Sequence, residues 1–210
     1  MPRKSNRRRI VLASTSPRRI ELLRQIGLDC EVVAPSADET PRKNEKPASL
    51  VARLALEKAR SAARILERRK GTASAVLIIA ADTIVVEPRG REILGKPSSR
   101  AQAMKMLARI QGTTHLVLTG YCILEAQGAS AHSLVRVVRS RVSMISLSAS
   151  QIRAYVATGE PMDKAGAYAA QGIGMSLIER IDGSYANVVG LPVSQLVRDL
   201  EQQFEVRVLG

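Results

Sequence analysis

The sequence predicts an α/β fold, and three observations carry that expectation. Val11 to Ala13 is a short apolar run leading through a Ser/Thr turn into a helix over 17–26, which is how an α/β domain opens. Ala75 to Val86 is the most apolar stretch of the chain, broken by Asp82 and Thr83 alone, and reads as a central strand covered on both faces. Further strand-like runs then alternate with amphipathic helical segments.

In chain order, Ser16 reads as a helix N-cap and Pro17 as the first helical residue, with Ile20, Leu23 and Ile26 at helical spacing up to Gly27. A second strand follows near Cys30 to Val33. Pro35, Pro41 and Pro47, set among charged residues, mark 34–47 as a loop. A long helix from about Ala48 to Arg69 carries Val51, Ala55, Ala59, Ala62 and Leu66 on one face, with Lys58 at its flank. After the central strand, Pro88 to Gly90 turns the chain into a short partner around Ile93. A helix over Ser99 to Ile110 presents Ala101, Met104 and Leu107. His115 to Leu124 is the next strand, and from Val138 onward the alternation of Arg139, Arg141 and Ser143 with Ser140, Val142 and Met144 predicts a half-exposed one. Ser148 or Ser150 caps a helix running through Ile152 and Tyr155 to Gly159. Pro161 to Gly174, with Gly166, Gly172 and Gly174 around Asp163, Lys164, Tyr168 and Gln171, reads as a binding segment. Asp182 and Gly183 predict a hairpin turn, and Pro192 opens a last helix with Leu196 and Leu200 inward.

Composition narrows the function classes. With 210 residues, 45% of them apolar, the chain suits one domain or two small lobes around a sizeable core. Four Tyr, one Phe and no Trp argue against a nucleic-acid module built on stacked bases. The net charge of +13 nevertheless asks for an acidic partner. Part of it sits in residues 1–9, where Arg3, Lys4, Arg7, Arg8 and Arg9 stand without an acid, and this segment reads as a basic, disordered leader before a single domain over 10–210. Neither a signal peptide nor a membrane span is visible, so a cytoplasmic protein is expected. Cys30 and Cys122 lack metal or redox spacing, and His115 and His132 cannot complete a zinc site; both cysteines are expected to be reduced core residues.

Two features point to chemistry on anions. Arg18 and Arg19 stand in the first helical turn, where unpaired backbone N–H groups are already positive, and with Ser14, Thr15 and Ser16 they read either as an oxyanion site suited to phosphate or as a solvated helix start with surface arginines. Asp82 must be paired, metal-bound or held at a strand end, because an unpaired buried carboxylate is too costly. Glu39, beside Asp38 in the proline-rich loop, reads alone as surface, as do Lys58 and Lys164. Gly90 to Lys96 matches Walker A spacing, but Pro97 replaces the hydroxyl that would meet magnesium, and Arg-Glu-Ile-Leu reads as strand; both argue against a P-loop.

Leu-Ala-Ser-Thr-Ser-Pro-Arg-Arg at 12–19, Asp-Glu-Thr at 38–40, Ala-Ala-Asp-Thr at 80–83, Gly-Lys-Pro at 95–97, Asp-Lys-Ala-Gly-Ala-Tyr-Ala-Ala-Gln-Gly at 163–172 and Val-Gly-Leu-Pro at 189–192 together resemble the Maf family of nucleoside triphosphate pyrophosphatases, in that family's order. The resemblance implies a Maf/ITPase-like α/β fold with a long mixed sheet, helices at its flanks and a cleft between two lobes. It further implies Asp82 as the general base, Glu39 and Asp82 as ligands of a divalent metal (magnesium or manganese), and Ser14, Arg19, Lys58 and Lys96 as phosphate-facing residues. Arg18, Thr83 and Gln171 match the branch that hydrolyses dTTP and UTP, with modified pyrimidine nucleotides as further substrates. Aromatic, Gln and Glu residues would mark the 7-methyl-GTP branch. A homodimer is implied as well, with no membrane partner and no specific nucleic acid. Two other readings stay open on the sequence: a 7-methyl-GTP pyrophosphatase, and a non-enzymatic nucleotide or nucleic-acid binder regulating cell division.

Overall fold

The computed structural model describes residues 8–69, 76–88, 92–127 and 130–208. Seven strands form one mixed sheet: β1 (Arg9–Ala13), β2 (Glu31–Val32), β3 (Val76–Val86), β4 (Ile93–Leu94), β5 (Thr114–Gln127), β6 (Ser130–Met144) and β7 (Ile178–Asp182). Their order is β2-β1-β3-β5-β6-β7, and β4 pairs separately with β3. Only β1 pairs in parallel, with β2 on one side and β3 on the other; every other pairing is antiparallel. The described residues also form six α-helices, α1 (Pro17–Gln25), α2 (Pro47–Arg68), α3 (Arg100–Ile110), α4 (Ala149–Ala157), α5 (Tyr185–Val189) and α6 (Val193–Phe204), with short 3-10 turns between α4 and β7. No helix among the described residues is long and apolar enough to cross a membrane.

The two faces of the sheet are covered differently, and this difference positions the site. On one face the single helix α2 lies along the strands. Its Ala55, Ala59, Ala62 and Leu66 pack on Val11, Ala13, Ile78, Ala80 and Cys122, and its first turns place Leu50, Val51 and Leu54 over Ile84, Val86 and Leu118. Small residues let the helix sit close. At Gly120 of β5 a Cβ would stand 2.2 Å from the Val51 carbonyl oxygen, so glycine is required by that approach. On the opposite face the cover is split. α1, α5 and α6 pack over Leu12, Leu77, Ile79, Tyr121 and Ile123, whereas α3 and α4 pack over Val85, Val117, Val142 and Met144. Along β3 the change of cover falls between Ala81 and Val85, and Thr83 is the residue of that face left between the two lobes.

Several local expectations are refined. Ser16 occupies the N-cap position of α1, but its side chain makes no capping bond; its N–H instead donates to Ser14 Oγ at 3.2 Å. Ser148, not Ser150, caps α4, in a reciprocal capping box with Gln151. β6 begins at Ser130, well before Val138, because its first half is held by pairing with β5 and shows little alternation of its own. Asp182 and Gly183 do not form a hairpin: β7 ends there and α5 starts at Tyr185. Gly183, at φ +117°, packs against Ser140. Arg9 begins β1 and Arg8 pairs with Glu125 at 2.8 Å, so the last two residues of the expected leader belong to the fold; residues 1–7 lie outside the described residues. Cys122 is buried as expected, whereas Cys30 is only partly so.

His115 lies buried in the α3/α4 lobe, with its Nε2 bonded to the Tyr168 hydroxyl at 2.8 Å and its Nδ1 without a partner among the described residues. Burial holds its pKa down from 6.5 to about 4. The folded chain therefore keeps the ring neutral while the unfolded chain takes up a proton first. This contribution is complete above pH 6.5, falls as the pH drops toward about 4, and is flat below. His115 should contribute the equivalent of about 3 kcal/mol to the decline of urea midpoints across that window, and His115→Gln, which keeps a polar partner for Tyr168, should remove that share and leave the part carried by the carboxylates.

Candidate active site

The site lies where the sheet has an opening. β1 pairs with β3 only as far as Ala13 opposite Ala80, and β4 joins the same edge of β3 only from Val85. Among the described residues, Ala81 to Ile84 therefore have β5 on one side and no strand on the other. The chain leaving β1 turns into Ser14 and the start of α1 at this opening. Because side chains alternate along a strand, Asp82 points toward α2 and Thr83 toward the seam between the two lobes.

On the α2 side, Lys58 holds two carboxylates. Its Nζ donates to Asp82 Oδ1 at 2.7 Å and forms an ion pair with Glu39 Oε1 at 2.6 Å. The Lys58 and Asp82 side chains are each 11% exposed, while Glu39, reaching in from the loop before α2, is 62% exposed. Partial burial would raise the Glu39 carboxyl, but the bond to Lys58 and the charges of Lys58, Lys96 and Arg19 outweigh it and hold the group below its usual range. Lys96, two residues beyond β4, is exposed and enters the cluster through that charge. Lys58 is therefore not a surface lysine: its ammonium closes a carboxylate–ammonium–carboxylate cluster.

On the seam side, Arg19 ties three parts of the fold together. Its Nε donates to the Gly190 carbonyl at 2.8 Å, one terminal nitrogen to Ser14 Oγ at 3.3 Å and the other to Thr83 Oγ1 at 3.1 Å. Thr83 Oγ1 also lies 2.9 Å from Thr119 Oγ1, and Thr119 donates to the Asn187 carbonyl at 3.1 Å. Burial lowers the Arg19 pKa, with Arg18 adding to that and Asp82 and Glu39 opposing it; an arginine stays charged throughout. Arg18 turns away from its neighbour and pairs with Asp163 at 3.0 Å. Asp163 also accepts from Lys164; these two cations overcome the effect of burial and hold its carboxyl at about 2. Gln171 is partly buried and makes no side-chain hydrogen bond among the described residues.

Asp82, Lys58 and Glu39 therefore meet directly, as do Ser14, Arg19 and Thr83, and the two groups occupy opposite faces of one short stretch of β3. Arg18 and Gln171 stand apart from both. The Walker-like run resolves as strand at Ile93–Leu94, with Gly90 and Arg91 outside the described residues. Asp163, from the glycine-rich binding segment, completes the surroundings together with Thr119, Asn187, Gly190 and Glu160, which are not legible as site residues from local sequence, although Gly190 lies inside a quoted motif. Among the described residues no group of three or more His, Cys, Asp or Glu could hold a metal ion. Two carboxylates, Asp82 and Glu39, instead converge on the Lys58 ammonium, and carboxylate oxygens are the donors a hard divalent cation takes. Arg19→Lys keeps the charge but loses the fork. It should lower the unfolding free energy by about 1–3 kcal/mol in urea titration; an unchanged midpoint would refute the tie between β1, β3 and Gly190.

A family model described as "Maf-like protein" matches residues 9–203. A protein of Acetivibrio thermocellus named dTTP/UTP pyrophosphatase is 45% identical over 201 residues, covering 96% of this chain and 98% of that one. One of Pelotomaculum thermopropionicum with the same name is 46% identical over 200 residues, covering 95% and 98%. The solved structure of the Staphylococcus aureus Ham1 protein aligns over 93% of this chain and 90% of that one, with a TM-score of 0.44 and 17% identity. A family match running from the first residue of β1 to the last turn of α6, together with relatives of this identity over nearly the whole length, establishes that the chain belongs to the Maf family.

Proposed function

We propose that the chain hydrolyses dTTP and UTP at the α-phosphorus, releasing the nucleoside monophosphate and diphosphate. The observation that carries this reading is the Asp82–Lys58–Glu39 cluster at the opening beside β3, in a chain 45% identical to a protein named dTTP/UTP pyrophosphatase. In the reaction a water oxygen attacks the α-phosphorus, the bond to the α–β bridging oxygen breaks, and diphosphate leaves. Asp82 takes the proton of the attacking water. Lys58 holds that carboxylate aimed before substrate arrives, its ammonium 2.7 Å from Asp82 Oδ1. A magnesium or manganese ion held by Glu39 and Asp82 would supply a lowered water pKa and offset charge on the departing diphosphate.

Ser14, Arg19, Lys58 and Lys96 form the phosphate-facing wall in this reading. Three of the five N–H donors of Arg19 are spent on the protein, so its guanidinium is fixed in place before binding and the remaining donors cost no reorganisation. Arg18, Thr83 and Gln171 choose the base. An uncharged Gln offers both a donor and an acceptor to a pyrimidine edge, whereas a cationic methylated guanine calls for a carboxylate and a stacked aromatic ring.

A panel of nucleotides with magnesium, read by diphosphate release, should show kcat/KM for dTTP and UTP at least ~10-fold above that for 7-methyl-GTP; preference for 7-methyl-GTP would overturn the branch, and binding without any hydrolysis would overturn the enzyme reading. Asp82→Asn removes the proton acceptor while Lys58 keeps Glu39 as its partner. It should cut kcat by roughly 10²–10⁴-fold with an unchanged circular dichroism spectrum, and near-normal turnover in the folded variant would take the base role away from Asp82.

A further inference from the structure

Glu160 stands in a short 3-10 turn (Glu160–Asp163) that follows α4, and each oxygen of its carboxylate accepts a backbone N–H, with the Tyr155 hydroxyl close by. Oε1 accepts the Ile173 N–H at 3.0 Å and Oε2 accepts the Gly174 N–H at 2.8 Å. The glycines on either side of Ile173 make this possible. Gly172 lies at φ +68°, and a Cβ there would stand 2.1 Å from Glu160 Oε1; a Cβ at Gly174 would stand 2.4 Å from the Ala169 carbonyl and 2.5 Å from the Tyr155 hydroxyl. Both carboxylate oxygens and both glycines thus serve one end: the backbone immediately after Gln171 is held from below by a charged acceptor. Hydrogen bonds to an ionised acceptor are about twice as strong as neutral ones, so the anchorage is stiff. The same turn ends at Asp163, which holds Arg18 at 3.0 Å across the seam, and Lys164 braces it by donating to the Glu160 carbonyl at 2.9 Å.

We infer that Glu160 is a positioning residue for base selection: by clamping the Gly172–Gly174 backbone it sets where Gln171 stands, on the turn that also fixes Arg18 through Asp163. This rests on the functional reading above, in which Gln171 and Arg18 choose the base. Glu160 touches neither phosphate nor water in that reading, so its loss should loosen recognition and leave the chemical step intact.

Two measurements on Glu160→Ala and Glu160→Gln test it. Hydrogen exchange at the Ile173 and Gly174 amides should accelerate strongly in Glu160→Ala, and by less in Glu160→Gln, whose single carbonyl oxygen can still accept one of the two bonds. Steady-state kinetics beside the wild type should show KM for dTTP and UTP raised about tenfold, kcat nearly unchanged, and discrimination against other triphosphates reduced, with Glu160→Gln recovering part of the loss. Protected amides in Glu160→Ala would refute the clamp itself. Unchanged KM and discrimination in a folded variant, or a loss confined to kcat, would overturn the positioning role while leaving the proposed activity standing. A wild-type chain that turns over neither nucleotide would overturn the functional reading and this inference with it. Should Glu160→Ala fail to fold, Glu160→Gln carries the comparison alone.

Discussion

A carboxylate in the middle of the most apolar strand of a protein can persist only against a counter-charge, and Lys58 is that counter-charge for Asp82. The placement of α2 is inseparable from this pair. Lys58 falls on the same stripe as Ala55, Ala59 and Ala62, the face that packs on the sheet, so its ammonium can reach β3 only if the helix lies close. The alanines and the absent side chain at Gly120 allow that approach. Removing the lysine would leave a buried anion without its partner, whereas removing the aspartate leaves Lys58 with Glu39 and partial access to water. The pair is thus asymmetric: the aspartate is the member that the fold must be built to tolerate.

The alternation of a β-strand then separates two tasks at one address. Asp82 and Thr83 are neighbours in sequence, yet their side chains serve opposite faces, one toward α2 and the other toward the seam between the α1/α5/α6 lobe and the α3/α4 lobe. Both become reachable at one point because β1 stops at Ala13 and β4 begins only opposite Val85. A continuous neighbour along this edge of β3 would close the opening. The opening is therefore a consequence of strand lengths: a five-residue β1 and a two-residue β4 share one edge of an eleven-residue β3 and leave a gap between them.

Legibility in the sequence followed the range of the interaction. The long helix was readable because its apolar stripe is local, and Asp82 because a charge inside an apolar run is anomalous wherever the strand ends up. Lys58 could have been assigned to the sheet face from its place among Ala55, Ala59 and Ala62, but a lysine beside such a stripe is ordinarily a snorkelling one. Glu39 carried no local signal at all. An exposed acid in a proline-rich loop becomes part of a cluster only when the loop folds back over α2. The partner of Arg18 lies 145 residues away, and the Glu160 clamp depends on glycines whose role is visible only once the carboxylate sits beneath them. The missed hairpin at Asp182–Gly183 has a simple cause: a turn dipeptide marks a reversal, and the element that follows, here α5, is decided by what packs against it.

The paired arginines at the start of α1 show how adjacency in a helix can divide labour. Successive residues project about 100° apart on a helix, so two guanidiniums in one turn reach different elements. Arg19 points inward and is shared among Ser14, Thr83 and Gly190, with the charges of Asp82 and Glu39 acting on it. Arg18 crosses the seam to Asp163 on the other lobe. Two cations in a first helical turn are unfavourable against the helix dipole, and here each is answered by acids brought from elsewhere in the fold. That arrangement gives the two guanidiniums different anchorage. Arg19 is held by three neutral acceptors drawn from three parts of the fold. Arg18 is held by one carboxylate that is 63% exposed, and water competes for such a pair more than for a buried bond. Arg19 is therefore the tighter of the two ties, and Arg18 keeps its place through the turn that carries Asp163.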